Sequence, residues 1–181
     1  SAGTKLVCFD SFFNNPGVYE VDMCTPMKKI INEVGGGFKE PVKALQIGGP
    51  LGGVVPIKEV EKLNLDFQEF TAAGFMLGHG SIVSIPKDFS MVEYIHHLFE
   101  FSAEESCGKC FPGRLGSYRG KEMFDQAINK SKKIPLKLLN ELLITMKNGC
   151  LCALCGAIPV PIMNILKYFS DEMKNDIVQE N

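Results

Sequence analysis

From residue 90 onward, apolar side chains recur every three or four positions, the period of a helix with one buried side. Before that point the chain runs in short apolar stretches, rich in β-branched residues and broken by glycine, the pattern of strands and turns. In this first half, residues 5–9 predict a strand, and Asn14, Asn15, Pro16 and Gly17 a turn. Residues 18–21 complete a hairpin. Thr25 followed by Pro26 predicts a helix, with Thr as N-cap and Pro at the first helical position. Ile30, Ile31 and Val34 form its apolar side, and Gly35, Gly36 and Gly37 stop it. Residues 42–47 read as a third strand, running into a glycine-rich loop at 48–53, and residues 82–85 as a last one. Hairpin, helix, then further strands predicts a β-grasp (ubiquitin-like) sheet crossed by one helix, spanning residues 3–86.

The second half predicts a small four-helix bundle over residues 90–178, so the fold class expected is α+β. Ser90 and Glu93 make a capping box for the first helix, with Val92, Ile95, Leu98 and Phe99 inward. Met123, Phe124, Ala127 and Ile128 mark the second. Pro135 opens the third, with Leu136, Leu139, Leu142, Leu143 and Met146 in its stripe, and Pro161 the fourth, with Ile162, Ile165, Leu166, Phe169 and Met173 inward.

The chain has 181 residues, 45% of them hydrophobic, enough to bury one good core or two small ones. Net charge is −2 and no basic block occurs, which argues against nucleic acid or an anionic membrane as partner. The most apolar run, residues 150–166, is interrupted by Pro159 and Pro161 and falls short of the roughly 20 residues a bilayer span needs, so no membrane insertion is expected. The opening Ser-Ala-Gly-Thr, without an initiator Met, reads as the start of a fragment.

Seven cysteines without a signal peptide fit a reducing, cytoplasmic setting, where clustered thiols bind metal or do redox work. Cys107 and Cys110 stand at C-x-x-C spacing, followed by Pro112 and Arg114; Cys152 and Cys155 repeat the spacing about forty residues on. Thiolates so spaced can face one centre, and two pairs supply the four soft ligands of a tetrahedral zinc or a cubane cluster. Both groups fall at helix junctions that share one end of an up-down bundle. Cys150 is a further candidate ligand, while Cys8 and Cys24 are expected to pack as small hydrophobes. Pro112 is expected to fix the loop presenting the thiolates. Arg114 and Lys109 are cations that would stand near a centre of net negative charge, with Lys109 read as surface charge. His79, between two glycines, reads as an exposed loop residue, and His96 and His97 as structural or exposed.

These residues resemble the C-terminal part of the NADH-binding flavoprotein subunit of respiratory complex I, a module shared with NAD(P)-linked hydrogenases and formate dehydrogenases. In the first half the likeness is carried by residues 15–20, by the Ile47-Gly48-Gly49-Pro50 turn and by residues 73–78; in the second by residues 105–114 and 151–154. The resemblance implies a soluble-ligand-binding β-grasp domain followed by a helical domain holding one [4Fe–4S] cluster, which receives electrons from FMN after hydride arrives from NADH. Carried over residue by residue, Cys107, Cys110 and Cys152 match three ligands. The third position of the pattern is Gly113, so Cys155 or Cys150 is left to complete the set, and a three-iron centre, a cluster with a non-protein fourth ligand, zinc or no centre stay open. The FMN and NADH sites are implied to lie N-terminal to this region. The implied partners are a flavin/NADH-binding domain of the same polypeptide and other iron–sulfur subunits, placing the chain in the cytoplasm, peripheral to the inner membrane.

Overall fold

The structure, a computed structural model, describes residues 1–178. It divides into two compact units, Ser1–Asp88 and Phe89–Asn181.

In the first unit, β1 (Thr4–Phe9) and β2 (Gly17–Asp22) form the expected hairpin, paired from Thr4 opposite Asp22 to Phe9 opposite Gly17. β3 (Val42–Ile47) turns back into β4 (Gly53–Pro56), and β5 (Ser81–Pro86) lies antiparallel to β3 and parallel to β1. The sheet order is β2-β1-β5-β3-β4. The glycine-rich loop is therefore the turn of a hairpin, with β4 a strand that the sequence pattern does not announce. Gly48 and Gly49 have φ of +95° and +92°, and a Cβ on Gly48 would lie 2.6 Å from the Leu77 carbonyl oxygen, so this turn requires glycine. The unit also carries the short helices α1 (Met27–Lys29), which continues as a π-helical turn over Ile30–Val34, α2 (Ile57–Val60), which packs on β3 and β4, and α3 (Phe67–Ala72). Phe13, Met27, Ile30, Leu45, Ile47, Leu65 and Phe70 are fully buried.

Thr25 does not cap α1. Its backbone bonds to Asp22 and Leu65, and Pro26 holds the cap position in an extended conformation without a side-chain bond. A residue before proline is pushed out of the helical region, which favours this pairing over a cap. Cys8 and Cys24 are exposed, against the expectation of packing. Alternation along β1 points Cys8 away from the buried side, and Cys24 sits in a turn with φ of +64°. His79 lies in a loop and packs over Gly49.

In the second unit, α4 (Met91–Glu105) starts where predicted, with the Ser90 hydroxyl accepting the Glu93 N–H at 3.3 Å. It is followed by α5 (Phe111–Ile128), β6 (Ile134–Pro135), α6 (Leu136–Gly149), α7 (Ala153–Ala157) and α8 (Pro159–Tyr168). A 3-10 turn over Ser170–Met173 leads to β7 (Ile177–Val178), which runs parallel to β6. Ile95, Phe99, Phe124, Leu139, Leu143, Met146, Ile162 and Ile165 make the core. His96 bridges α4 and α5 through a 2.7 Å contact of Nε2 with Asp125.

Two expectations are corrected here. The second helix begins at Phe111 rather than near Met123, which places Pro112 inside its first turn and not in a loop. The last helix opens at Pro159, so Pro161 lies within its first turn, where its missing N–H has no helical partner to lose. The chain is thus a mixed α/β protein. Among the described residues no helix is long and apolar enough to cross a membrane.

Candidate metal centre

Helix α5 is unusual in being glycine-rich on its inward side: Gly113, Gly116, Ser117 and Gly120 are buried there. Without side chains at the three glycines, neighbouring groups come onto the backbone. Met146 packs over Gly116, and the Phe99 ring lies where a Cβ on Gly120 would fall. At the N-terminal end of the same stripe, a Cβ on Gly113 would lie 2.9 Å from Cys155 Sγ and 3.2 Å from Cys110 Sγ. The two cysteine groups of the sequence therefore meet on either side of a residue that has no side chain.

Cys110 occupies the N-cap position of α5, at the positive end of the helix. Its thiol is held below the usual cysteine range, chiefly by the Leu151 N–H, then by the Gly113 N–H and by the Cys150 thiol. Cys150 behaves in the opposite way. Burial pushes its thiol up to about 12, and the charges of Cys110, Cys155 and Cys152 add to the rise. Cys150 is consequently a neutral S–H that hydrogen-bonds to the Cys110 sulfur. Cys152 stands at the N-cap position of α7, exposed.

Cys155 lies inside α7 and is 2% exposed. The hydroxyls of Ser102 and Ser106, one turn apart at the end of α4, each lie 3.9 Å from its sulfur. Ser106 also accepts the Gly108 N–H at 3.3 Å, which ties the loop carrying Cys107 to the same place. Cys107 itself is exposed. Pro112 meets Gly149 across the junction, its Cγ 3.0 Å from where a Cβ there would sit. Arg114 stacks on the Phe111 ring at 4.9 Å, with its stem beside Gly108, and Lys109 is exposed. The rim is apolar: Phe111, Leu115 and Leu151 are 67%, 56% and 79% exposed.

A single zinc ion with Zn–S bonds of about 2.3 Å would draw its sulfurs to within about 4 Å of one another. Among the described residues no three potential ligands converge on one ion in that way. A multi-iron centre places its metals between the thiolates and suits a wider set. The donors are soft thiols at two helix N-caps and at one buried position within α7, with backbone N–H groups already turned to sulfur, so they fit an iron–sulfur group. Sequence spacing alone places Cys107, Cys110, Cys152 and Cys155 at one end of the bundle. It does not disclose Gly113 as a contact point, Cys150 as a donor, or the part of Ser102 and Ser106.

The family described as NADH-ubiquinone oxidoreductase-F iron-sulfur binding region matches residues 93–176. Over 95% of its length the chain is 32% identical to NADP-reducing hydrogenase subunit HndC of Solidesulfovibrio fructosivorans, covering 36% of that protein. Over 99% it is 29% identical to the mitochondrial NADH-ubiquinone oxidoreductase 51 kDa subunit of Neurospora crassa, covering 38% of it. The chain thus spans less than half the length of these relatives. The crystal structure of an NAD+-reducing [NiFe]-hydrogenase in the H2-reduced state superposes on the whole chain with a TM-score of 0.86 at 21% identity, covering 31% of the matched chain, a likeness of fold.

Proposed function

We propose that this chain, a relative of the NADH-ubiquinone oxidoreductase 51 kDa subunit and of hydrogenase subunit HndC, is the electron-relay portion of an NAD(P)H-oxidising flavoprotein subunit. The observation that carries this reading is the meeting of Cys110 and Cys155 around Gly113, inside the region that matches the family. Residues 90–178 are the cluster-binding helical domain, built as a four-helix bundle with α7 as an added turn. Residues 3–86 are a soluble-ligand-binding β-grasp domain, a reading supported by the order β2-β1-β5-β3-β4 with its parallel central pair. FMN and NADH belong to a flavin/NADH-binding domain of the same polypeptide. The assembly works on the cytoplasmic side, peripheral to the membrane, with other iron–sulfur subunits as acceptors.

Cys107, Cys110, Cys152 and one further thiolate would hold a [4Fe–4S] cluster, which when bound takes and releases one electron at a time. The residues around it have separate tasks. The Leu151 and Gly113 N–H groups lower the Cys110 thiol and so favour its binding as a thiolate, and neutral Cys150 adds a third donor without adding charge. Hydrogen bonds to ligand sulfur favour the more negative, reduced state. The buried side chains behind Cys155 exclude water from one side. The exposed Phe111, Leu115 and Leu151 leave the other side for a partner to cover.

The test is anaerobic reconstitution with ferrous iron and sulfide, then metal and sulfide analysis and EPR of the dithionite-reduced chain. About four irons and four sulfides per chain with a reduced-cluster signal are expected. No iron uptake would overturn the relay reading and leave a docking module without a cluster.

A further inference from the structure

The geometry points to Cys155 as the thiolate that takes the place of a ligand at position 113, the glycine there serving to make room for it. This inference rests on the cluster reading above and says where its fourth ligand comes from.

Three observations meet on this residue. First, the Cys155 sulfur lies 2.9 Å, and its Cβ 3.1 Å, from the point where residue 113 would carry its own Cβ. Carbon and sulfur do not approach so closely without bonding, so a side chain at 113 and the thiol of Cys155 exclude each other. The space through which a cysteine at 113 would project already holds a sulfur, delivered from α7 instead of α5. Second, the position is beside a ligand: the same point is 3.2 Å from Cys110 Sγ. Third, buried Cys155 has two hydroxyls against its sulfur. Ser106 accepts from the thiol, while Ser102 can donate or accept. When the thiol loses its proton to bind iron, both hydroxyls can rotate and donate to the thiolate, so the buried charge is met by partners already in place. Cys150 is the rival. The three atoms nearest the 113 position belong to Cys155 and Cys110, and none to Cys150.

A ligand at Cys155, unlike a side chain that only packs there, is exchangeable between α7 and α5. Moving the sulfur from one helix to the other should preserve the centre. Four chains would be reconstituted under identical conditions: the native chain, Cys155→Ser, the double variant Gly113→Cys/Cys155→Gly, and Cys107→Ser. The native chain is expected to take up about four irons. Cys155→Ser is expected to fall to a three-iron centre, seen by EPR in the oxidised state, or to lose iron. The double variant is expected to return to the native iron count and reduced-state spectrum. Circular dichroism of each iron-free chain separates loss of a ligand from loss of the fold. A native iron count and spectrum in Cys155→Ser would overturn the inference. So would a double variant that folds but stays at the level of Cys155→Ser. Cys107→Ser tests the cluster reading itself: if it and Cys155→Ser both match the native chain, that reading fails too, whereas loss in Cys107→Ser alone leaves the cluster standing and removes only Cys155. A native chain that takes up no iron overturns both.

Discussion

The two units of the chain use the same residue type to opposite effect. In the sheet unit, Cys8 and Cys24 stand apart and exposed, one on the outer side of a strand and one in a turn. In the helical unit, Cys110, Cys152 and Cys155 come close enough to Cys150 to raise its thiol. The difference lies in the backbone. A strand with period two sends successive side chains to opposite faces and leaves a lone thiol without company. Helix ends gathered at one side of a bundle bring together residues about forty positions apart, and each end adds unpaired N–H groups that favour a thiolate. Cysteine chemistry in this chain follows from where helices begin.

The largest expected effect breaks that contrast outright. Cys110→Ser is expected to abolish iron uptake, while Cys8→Ser and Cys24→Ser keep the native iron count, all read by metal analysis after reconstitution. Next come two core changes, one in each unit. Leu45→Ala in the sheet core is expected to cost about 2–5 kcal/mol in urea unfolding while leaving iron uptake intact. Gly120→Ala forces a methyl group into the Phe99 ring between α4 and α5 and is expected to cost about 1–3 kcal/mol by the same measurement, with weakened iron binding. A smaller effect compares caps. Ser90→Ala and Asp66→Ala each remove a side-chain acceptor from the start of a helix and should each cost about 1 kcal/mol, one in each unit. Smaller still, Ser102→Ala should leave the iron count unchanged and lower the reduction potential by removing a donor to the Cys155 sulfur, measured by EPR-monitored redox titration. The smallest concerns pH. The bond from Lys121 holds Glu100 below the usual glutamate range, so its stabilising contribution is present above that range and is lost as pH falls through the lowered value. Glu100→Gln should therefore flatten the acid side of a melting-temperature profile, and only slightly, because each partner keeps about a third of its side chain in solvent, which screens the pair.

Much of the sheet unit is legible in the sequence because its signals are local. The turn at Asn14 to Gly17 sets β1 against β2, and β3 is bounded by residues that read directly as its ends. β4 escapes notice because it is four residues long, begins with Gly53 and ends with Pro56, all of which speak against a strand. In the helical unit, α5 extends further than its pattern predicts for a related reason. Gly113, Gly116 and Gly120 lower helix propensity, and tertiary contacts with Cys155, Met146 and Phe99 override it. The spacing of Cys107, Cys110, Cys152 and Cys155 is visible as chemistry. The role of Gly113 is not, since an absent side chain gains meaning only from the atom that fills its place. Likewise α7, five residues long, has no period to detect.

The bare inward side of α5 also bears on how the helical unit is made. Each glycine within a helix costs about 1 kcal/mol relative to alanine, so this segment is a poor helix by itself during synthesis. Its register is set only when Phe99 and Met146 close over it. The proximity of Cys110 and Cys155 is therefore a product of tertiary closure and not of local coiling. A nascent chain would expose its thiols in sequence but offer no assembled pocket until α4, α6 and α7 have docked. Iron bound at the site proposed above would then enter after that closure.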